Sequence, residues 1–150
     1  MAEVATTLNE ALFTQLQHEK LTLLHTIDAE SGAPTSSAIS WIYAKTPETI
    51  RFALDQRSRL IENMKQEAAV SLTIFASNTV NIVQGKAAIV TDALDEVPFK
   101  LTCFDVTIEA VRDGMFYGAR ISTEPEYEKT YDKRAAEKLD NQVFTAMKKA

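Results

Sequence analysis

With 150 residues, 45% hydrophobic and 25% charged, the chain can form one compact domain that buries roughly two-thirds of its unfolded surface without a disulfide or metal staple. A composition at the globular average excludes a disordered chain, a collagen-like repeat and a multi-span membrane protein. The net charge of −5 has the wrong sign for unspecific capture of nucleic acid or an anionic membrane.

Charge is uneven along the chain. Residues 51–90 carry five basic and three acidic side chains and are the net-positive stretch of an acidic sequence. The four glycines, Gly32, Gly85, Gly114 and Gly118, cannot build a dinucleotide fingerprint or a Walker loop, both of which need closely spaced glycines at a strand-to-helix turn. Any phosphate would have to be held by side chains and helix ends. One cysteine, Cys103, and two histidines furnish neither an internal disulfide nor a structural zinc site. With no signal-peptide pattern and no apolar run of about 18 residues, the expected compartment is the cytoplasm.

In chain order, Thr7-Leu8-Asn9-Glu10 has capping-box spacing, and Leu8, Leu12, Phe13 and Leu16 follow at helical intervals, which predicts a helix over 8–19. A strand over 21–27 ends in the turn-forming run 28–34, and a second strand is predicted over 35–44. Its alternation puts Ile39, Trp41 and Tyr43 on one face and the small Ser36, Ala38 and Ser40 on the other. A third strand over 49–54 leads into a short helix opened by Asp55-Gln56-Arg57-Ser58 and running to about Gln66, with Leu60, Ile61 and Met64 as its buried stripe.

Strands over 69–76 and 79–91 are joined by the tight polar link Ser77-Asn78, and Gly85 inside the second predicts a bulge. A strand over 100–111 is expected to form a hairpin with 115–121 through Arg112-Asp113-Gly114. After Pro125, the recurrence of Tyr127, Tyr131, Ala135, Leu139, Val143 and Met147 predicts a long C-terminal helix with one apolar stripe. The predicted fold class is mainly β (α+β), a six- or seven-stranded antiparallel barrel with flanking helices, in a single domain over 1–150.

The most informative local feature is Arg57-Ser58-Arg59 at a helix mouth. Ser is a good cap, the first helical N–H groups lack internal partners, and two guanidiniums flank them, which is the chemistry of an anion site. The same residues also describe a capped helix with two solvated arginines. The small face at Ser36, Ala38 and Ser40 could let a flat ring lie against a strand, or pack tightly under a helix. Trp41 suits a core or subunit interface as well as a stacking position. His18 and His25 read as structural, and Cys103 as a buried small hydrophobe. With no Ser-His-Asp signature or nucleophile elbow in the sequence, the residues point to chemistry carried by a bound cofactor.

The order of elements over about residues 10–90, with Phe52 to Arg59, Ile61-Glu62-Asn63, Val70-Ser71-Leu72 and Gly85-Lys86-Ala87, resembles the FMN-binding split barrels related to pyridoxamine 5'-phosphate oxidase. The resemblance implies a split barrel, a homodimer with two sites at its interface, and bound FMN. Ser58 and Arg59 match the family's phosphate-holding Ser-Arg pair, with Arg57 as a neighbour. Ser37 to Trp41, including Ile39 and Ser40, match the strand that lines the flavin ring. Ala53 and Leu54 match the strand beneath the ribityl chain, and Asn81 matches a position approaching from the partner subunit.

This sequence departs from the oxidases themselves. They carry Arg and Lys on the strand matching 37–42, a Lys where this chain has Leu60, and an Arg-rich C-terminal motif with no counterpart in 116–150. The implied protein is therefore a flavin oxidoreductase acting on another small substrate. The alternatives on the same barrel are a deazaflavin enzyme, a non-catalytic flavin or haem binder, or a barrel with no cofactor. Neither nucleic acid nor membrane is expected as a partner.

Overall fold

The computed structural model describes residues 4–150. Its elements are α1 (Glu10–Gln15), β1 (Thr22–Ile27), β2 (Pro34–Ile39), β3 (Ile42–Thr46), β4 (Thr49–Asp55), α2 (Arg59–Gln66), β5 (Ala69–Ala76), β6 (Thr79–Thr91), β7 (Leu101–Asp113) and α3 (Lys133–Lys149). The seven strands form one sheet in the order β2-β1-β5-β6-β7-β4-β3, with every pairing antiparallel. This is the expected mainly β split barrel with flanking helices. Among the described residues no helix is long and apolar enough to cross a membrane.

The turn at Ser77-Asn78 and the bulge at Gly85 form as predicted. Ser77 and Asn78 both take positive φ, 55° and 61°, as a tight hairpin with right-handed strand twist requires. The ladder between β6 and β7 shifts register between Gln84 and Gly85, and a Cβ at Gly85 would lie 2.2 Å from the Thr107 carbonyl oxygen. Only glycine fits that bulge.

Four predicted elements change. The strand expected over 35–44 is two strands on opposite edges of the sheet. Ile39 pairs with Thr22 on β1, whereas Ile42 pairs with Phe52 on β4, so Ser40 and Trp41 form the corner. Beyond the corner the faces reassign. On β2, Thr35, Ser37 and Ile39 are half-buried while Ser36 and Ala38 are exposed.

The first helix spans only 10–15 and is capped by Asn9, whose Oδ1 accepts from the Leu12 N–H at 2.8 Å. Past it, the Leu16 carbonyl accepts from the Ala44 N–H at 3.0 Å, and the Gln17 side chain donates to the Ala44 carbonyl at 2.9 Å. These groups cover the free edge of β3 instead of extending the helix.

Residues 115–121 form no strand. Beside the end of β7, Ala5 exchanges backbone hydrogen bonds with Val111, and Ile108 donates to Glu48, so that edge is already taken. The segment instead loops out as a strap at the start of β6, held by Gly114 N–H to Val80 at 2.7 Å and Ile121 N–H to Asn78 at 2.7 Å. The last helix begins at Lys133 on an Asp132 cap, which leaves Tyr127 and Tyr131 exposed before it.

Two apolar clusters flank the sheet. The larger fills the barrel around Phe52, Phe104, Leu72 and Ile74, with Leu12 of α1, Leu16 just after it, and Leu60 and Met64 of α2 plugging it. The smaller lies outside, where Val143, Ala146 and Met147 of α3 cover Tyr43, Ala53, Leu101 and Cys103. Alternation along β4 and β7 supplies side chains to both.

Candidate functional site

The mouth of α2 is built by three local devices. Asp55 ends β4, and the Ser58 N–H donates to the Asp55 carbonyl at 2.9 Å, turning the chain. Ser58 caps the helix, its Oγ accepting from the Leu60 N–H at 3.2 Å. Asn63 then fixes α2 against β1. Its Nδ2 donates to Thr26 Oγ1 at 3.1 Å, and its Oδ1 accepts from the Ala29 N–H at 2.9 Å. Asn63 is fully buried, so both polar atoms must be satisfied inside the protein.

Arg59 extends from the first turn of α2 toward β2, with Nη2 3.4 Å from Thr35 Oγ1. Thr35, Ser37 and Ile39 share the inward face of β2, so the structure brings Ser58 and Arg59 to the same side as Ser37 and Ile39. Ser40 lies at the corner beyond. Arg59 also borders a cleft of about 380 Å³ shared with Asp28, Glu30, Glu62 and Asn63. Asp28 is held below the usual carboxylate range by hydrogen bonds from the Ser31 hydroxyl and N–H, with a smaller contribution from Arg59.

Arg57 is placed differently. It is exposed and turned back on Asp55, with Nε to Oδ1 at 3.1 Å, Nη2 to Oδ2 at 3.1 Å and its backbone N–H to Oδ1 at 2.8 Å. The Arg57 side chain and backbone hydrogen bonds lower the Asp55 carboxyl below its ordinary value. The same pairing raises Arg57.

The remaining predicted residues are dispersed. Leu54 faces the barrel interior. Ala53 and Trp41 face α3, where the Trp41 indole N–H donates to Asp140 Oδ1 at 2.9 Å. Asn81 of β6 lies on one rung with Ile74, Thr22 and Ile39. Two strands separate it from β2, a spacing of about 14 Å. Its Nδ2 donates to the Ile74 and Ala76 carbonyls.

Three residues at the mouth escaped the sequence reading of the site, namely Asp55, Thr35 and Asn63. Asp55 had a signal, because an Asp two residues before an Arg favours a local turn closed by its own carboxylate. Thr35 and Asn63 had none beyond their neighbourhoods, since their partners lie 24 to 37 positions away.

The fold is similar to several solved structures. A candidate pyridoxamine 5'-phosphate oxidase from Lactobacillus delbrueckii aligns with TM-score 0.60 at 21% identity, over 71% of this chain and 94% of that one. A single-residue variant of HupZ from Group A Streptococcus aligns with TM-score 0.59 at 13% identity, over 71% and 98%. A protein named F420 reductase aligns with TM-score 0.54 at 17% identity, over 69% and 95%. No curated protein matches the sequence. The family model described as pyridoxamine 5'-phosphate oxidase matches residues 8–113, leaving the strap and α3 as additions beyond the matched region. Over this matched region, from just before α1 to the end of β7, the chain belongs to the pyridoxamine 5'-phosphate oxidase family.

Proposed function

We propose that the protein is a cytoplasmic, homodimeric flavoprotein that binds FMN without a covalent bond and turns over a small substrate by redox chemistry. The observation that carries this reading is the convergence of Ser58, Arg59 and Thr35 at the mouth of α2. The donor set there fits a phosphate monoester. Arg59 has only a 3.4 Å contact to give up. Ser58 caps the helix through its oxygen, which leaves the hydroxyl hydrogen able to donate, and the helix start adds partial positive charge. The inward face of β2 continues from Thr35 to Ser37 and Ile39 and offers one hydroxyl and one apolar side chain as a wall for the ribityl chain and ring.

Bound there, FMN would supply the redox step, while the protein positions it and shields it from water. The protein's thiol is unsuited to act as a nucleophile, because burial pushes Cys103 up to about 11.

The dimer is supported by the outward sheet face, where Leu23, Thr73 and Ile82 lie on one rung and are only half-buried. On this reading Asn81, three strand spacings from β2 within one chain, would join the site from a second copy. We take residues 1–150 as one domain, because α3 shares β4 and β7 with the barrel core.

Adding FMN to the purified protein and recording its visible spectrum and flavin fluorescence tests the reading. Saturable uptake with a shifted spectrum is expected, and absence of uptake overturns it. Turnover of reduced nicotinamide with an electron acceptor then separates an enzyme from a flavin or haem carrier, and F420 in place of FMN tests the deazaflavin alternative. Sedimentation at micromolar concentration tests the dimer.

A further inference from the structure

We propose that Asp55 is a built-in competitor for phosphate at the mouth of α2, an internal anion that occupies Arg57 and so sets the affinity for a phosphate monoester. This rests on the flavin reading above and adds a residue that tunes it.

Three donors of Arg57 converge on the one carboxylate, two from the guanidinium and one from the backbone, at 2.8 to 3.1 Å. That is the two-pronged geometry with which arginine holds phosphate oxygens. Asp55 is fixed at the end of β4 by its pairing with Leu101. The Arg57 side chain is 91% exposed against 44% for Asp55, so the guanidinium is the freer partner of the pair.

On the other side of Ser58, Arg59 shares its cleft with Asp28, Glu30 and Glu62. Arg57 is thus paired with one carboxylate, and Arg59 lines a cleft with three others. A phosphate held by Ser58 and Arg59 would gain Arg57 as a second guanidinium only by displacing Asp55, and it is repelled by that carboxylate if the pair stays closed. Both effects are electrostatic between exposed groups and must weaken with salt.

FMN titration by fluorescence, with the full-length chain and riboflavin as the phosphate-free control, tests this. Asp55→Asn keeps the shape of the side chain and removes the charge. It is expected to tighten FMN binding about three- to tenfold at low salt, to leave riboflavin unchanged, and to lose most of its advantage at about 1 M salt. Arg57→Ala is expected to weaken FMN binding, and the double variant to fall between the two single ones. Wild-type binding that Asp55→Asn leaves unchanged or weakens overturns the inference alone, and assigns Asp55 to holding Arg57 in place. Absence of FMN binding by the wild type and by Asp55→Asn overturns the phosphate reading and the inference together.

Discussion

Arg51 and Asp105 are register partners across β4 and β7, and their side chains close a two-pronged ion pair, Nε to Oδ1 at 2.7 Å and Nη2 to Oδ2 at 3.0 Å. The remaining nitrogen, Nη1, donates to the carbonyls of Met147 at 2.8 Å and Ala150 at 2.7 Å. One buried guanidinium thus joins two strands to the last turn of α3, where orphan carbonyls need donors. Arg51→Met is expected to cost about 3–5 kcal/mol, because it leaves Asp105 unpaired and α3 uncapped. Urea denaturation measures the loss. Cys103, fully buried beneath α3, should also become reactive toward an aromatic disulfide reagent in the variant while staying protected in the wild type.

Burial pushes the Cys103 thiol up from 9.0 to about 11, so the folded chain keeps a proton that the unfolded chain releases. The thiol's contribution is constant below about pH 9, falls as pH rises between about 9 and 11, and levels off above. Subtracting the pH profile of Cys103→Ala from that of the wild type isolates the slope from other groups that titrate in the same range. A flat difference between pH 9 and 11 would contradict burial of the thiol.

Gly85→Ala should be among the most damaging single-methyl additions. The new Cβ would lie 2.2 Å from the Thr107 carbonyl oxygen and 2.8 Å from Val106 Cγ1, and the first of these is backbone that cannot rotate away. A loss of about 1–3 kcal/mol is expected, seen as a melting temperature lower by about 3–10 °C.

Asn63→Ala removes both hydrogen bonds that hold α2 to β1 and leaves the Ala29 N–H without its partner. The expected cost is about 2–3 kcal/mol, with weakened FMN binding because α2 presents Ser58 and Arg59. Arg59→Ala separates the two effects. It should lower FMN affinity about tenfold or more through loss of a charge-assisted bond, with little change in thermal midpoint because Arg59 is exposed. Melting curves and FMN titrations of both variants check the pair.

The sequence by itself determined what neighbouring residues decide. The positive-φ pair Ser77-Asn78, the cap at Ser58 and the apolar stripe of α2 are set within a few positions, by steric limits on φ or by short-range hydrogen bonds, whereas Gly85 marked a bulge whose need for glycine comes from Thr107 on the neighbouring strand. The ordered set of Phe52 to Arg59, Ile61-Glu62-Asn63, Val70-Ser71-Leu72 and Gly85-Lys86-Ala87 carried the family resemblance.

Only the tertiary structure decided where chain segments find an open partner. Alternation of period two runs unbroken through Ser40 and Trp41, so it could not reveal that the chain there leaves one sheet edge and joins the other. Residues 115–121 look like a strand but meet no vacant edge. Trp41 and Asp140 are 99 positions apart, Arg51 and Asp105 are 54 apart, and Arg59 and Thr35 are 24 apart. Each pair is made when the sheet closes or a helix docks on it, because a hydrogen bond reaches about 3 Å in space and carries no trace in the spacing of residues along the chain.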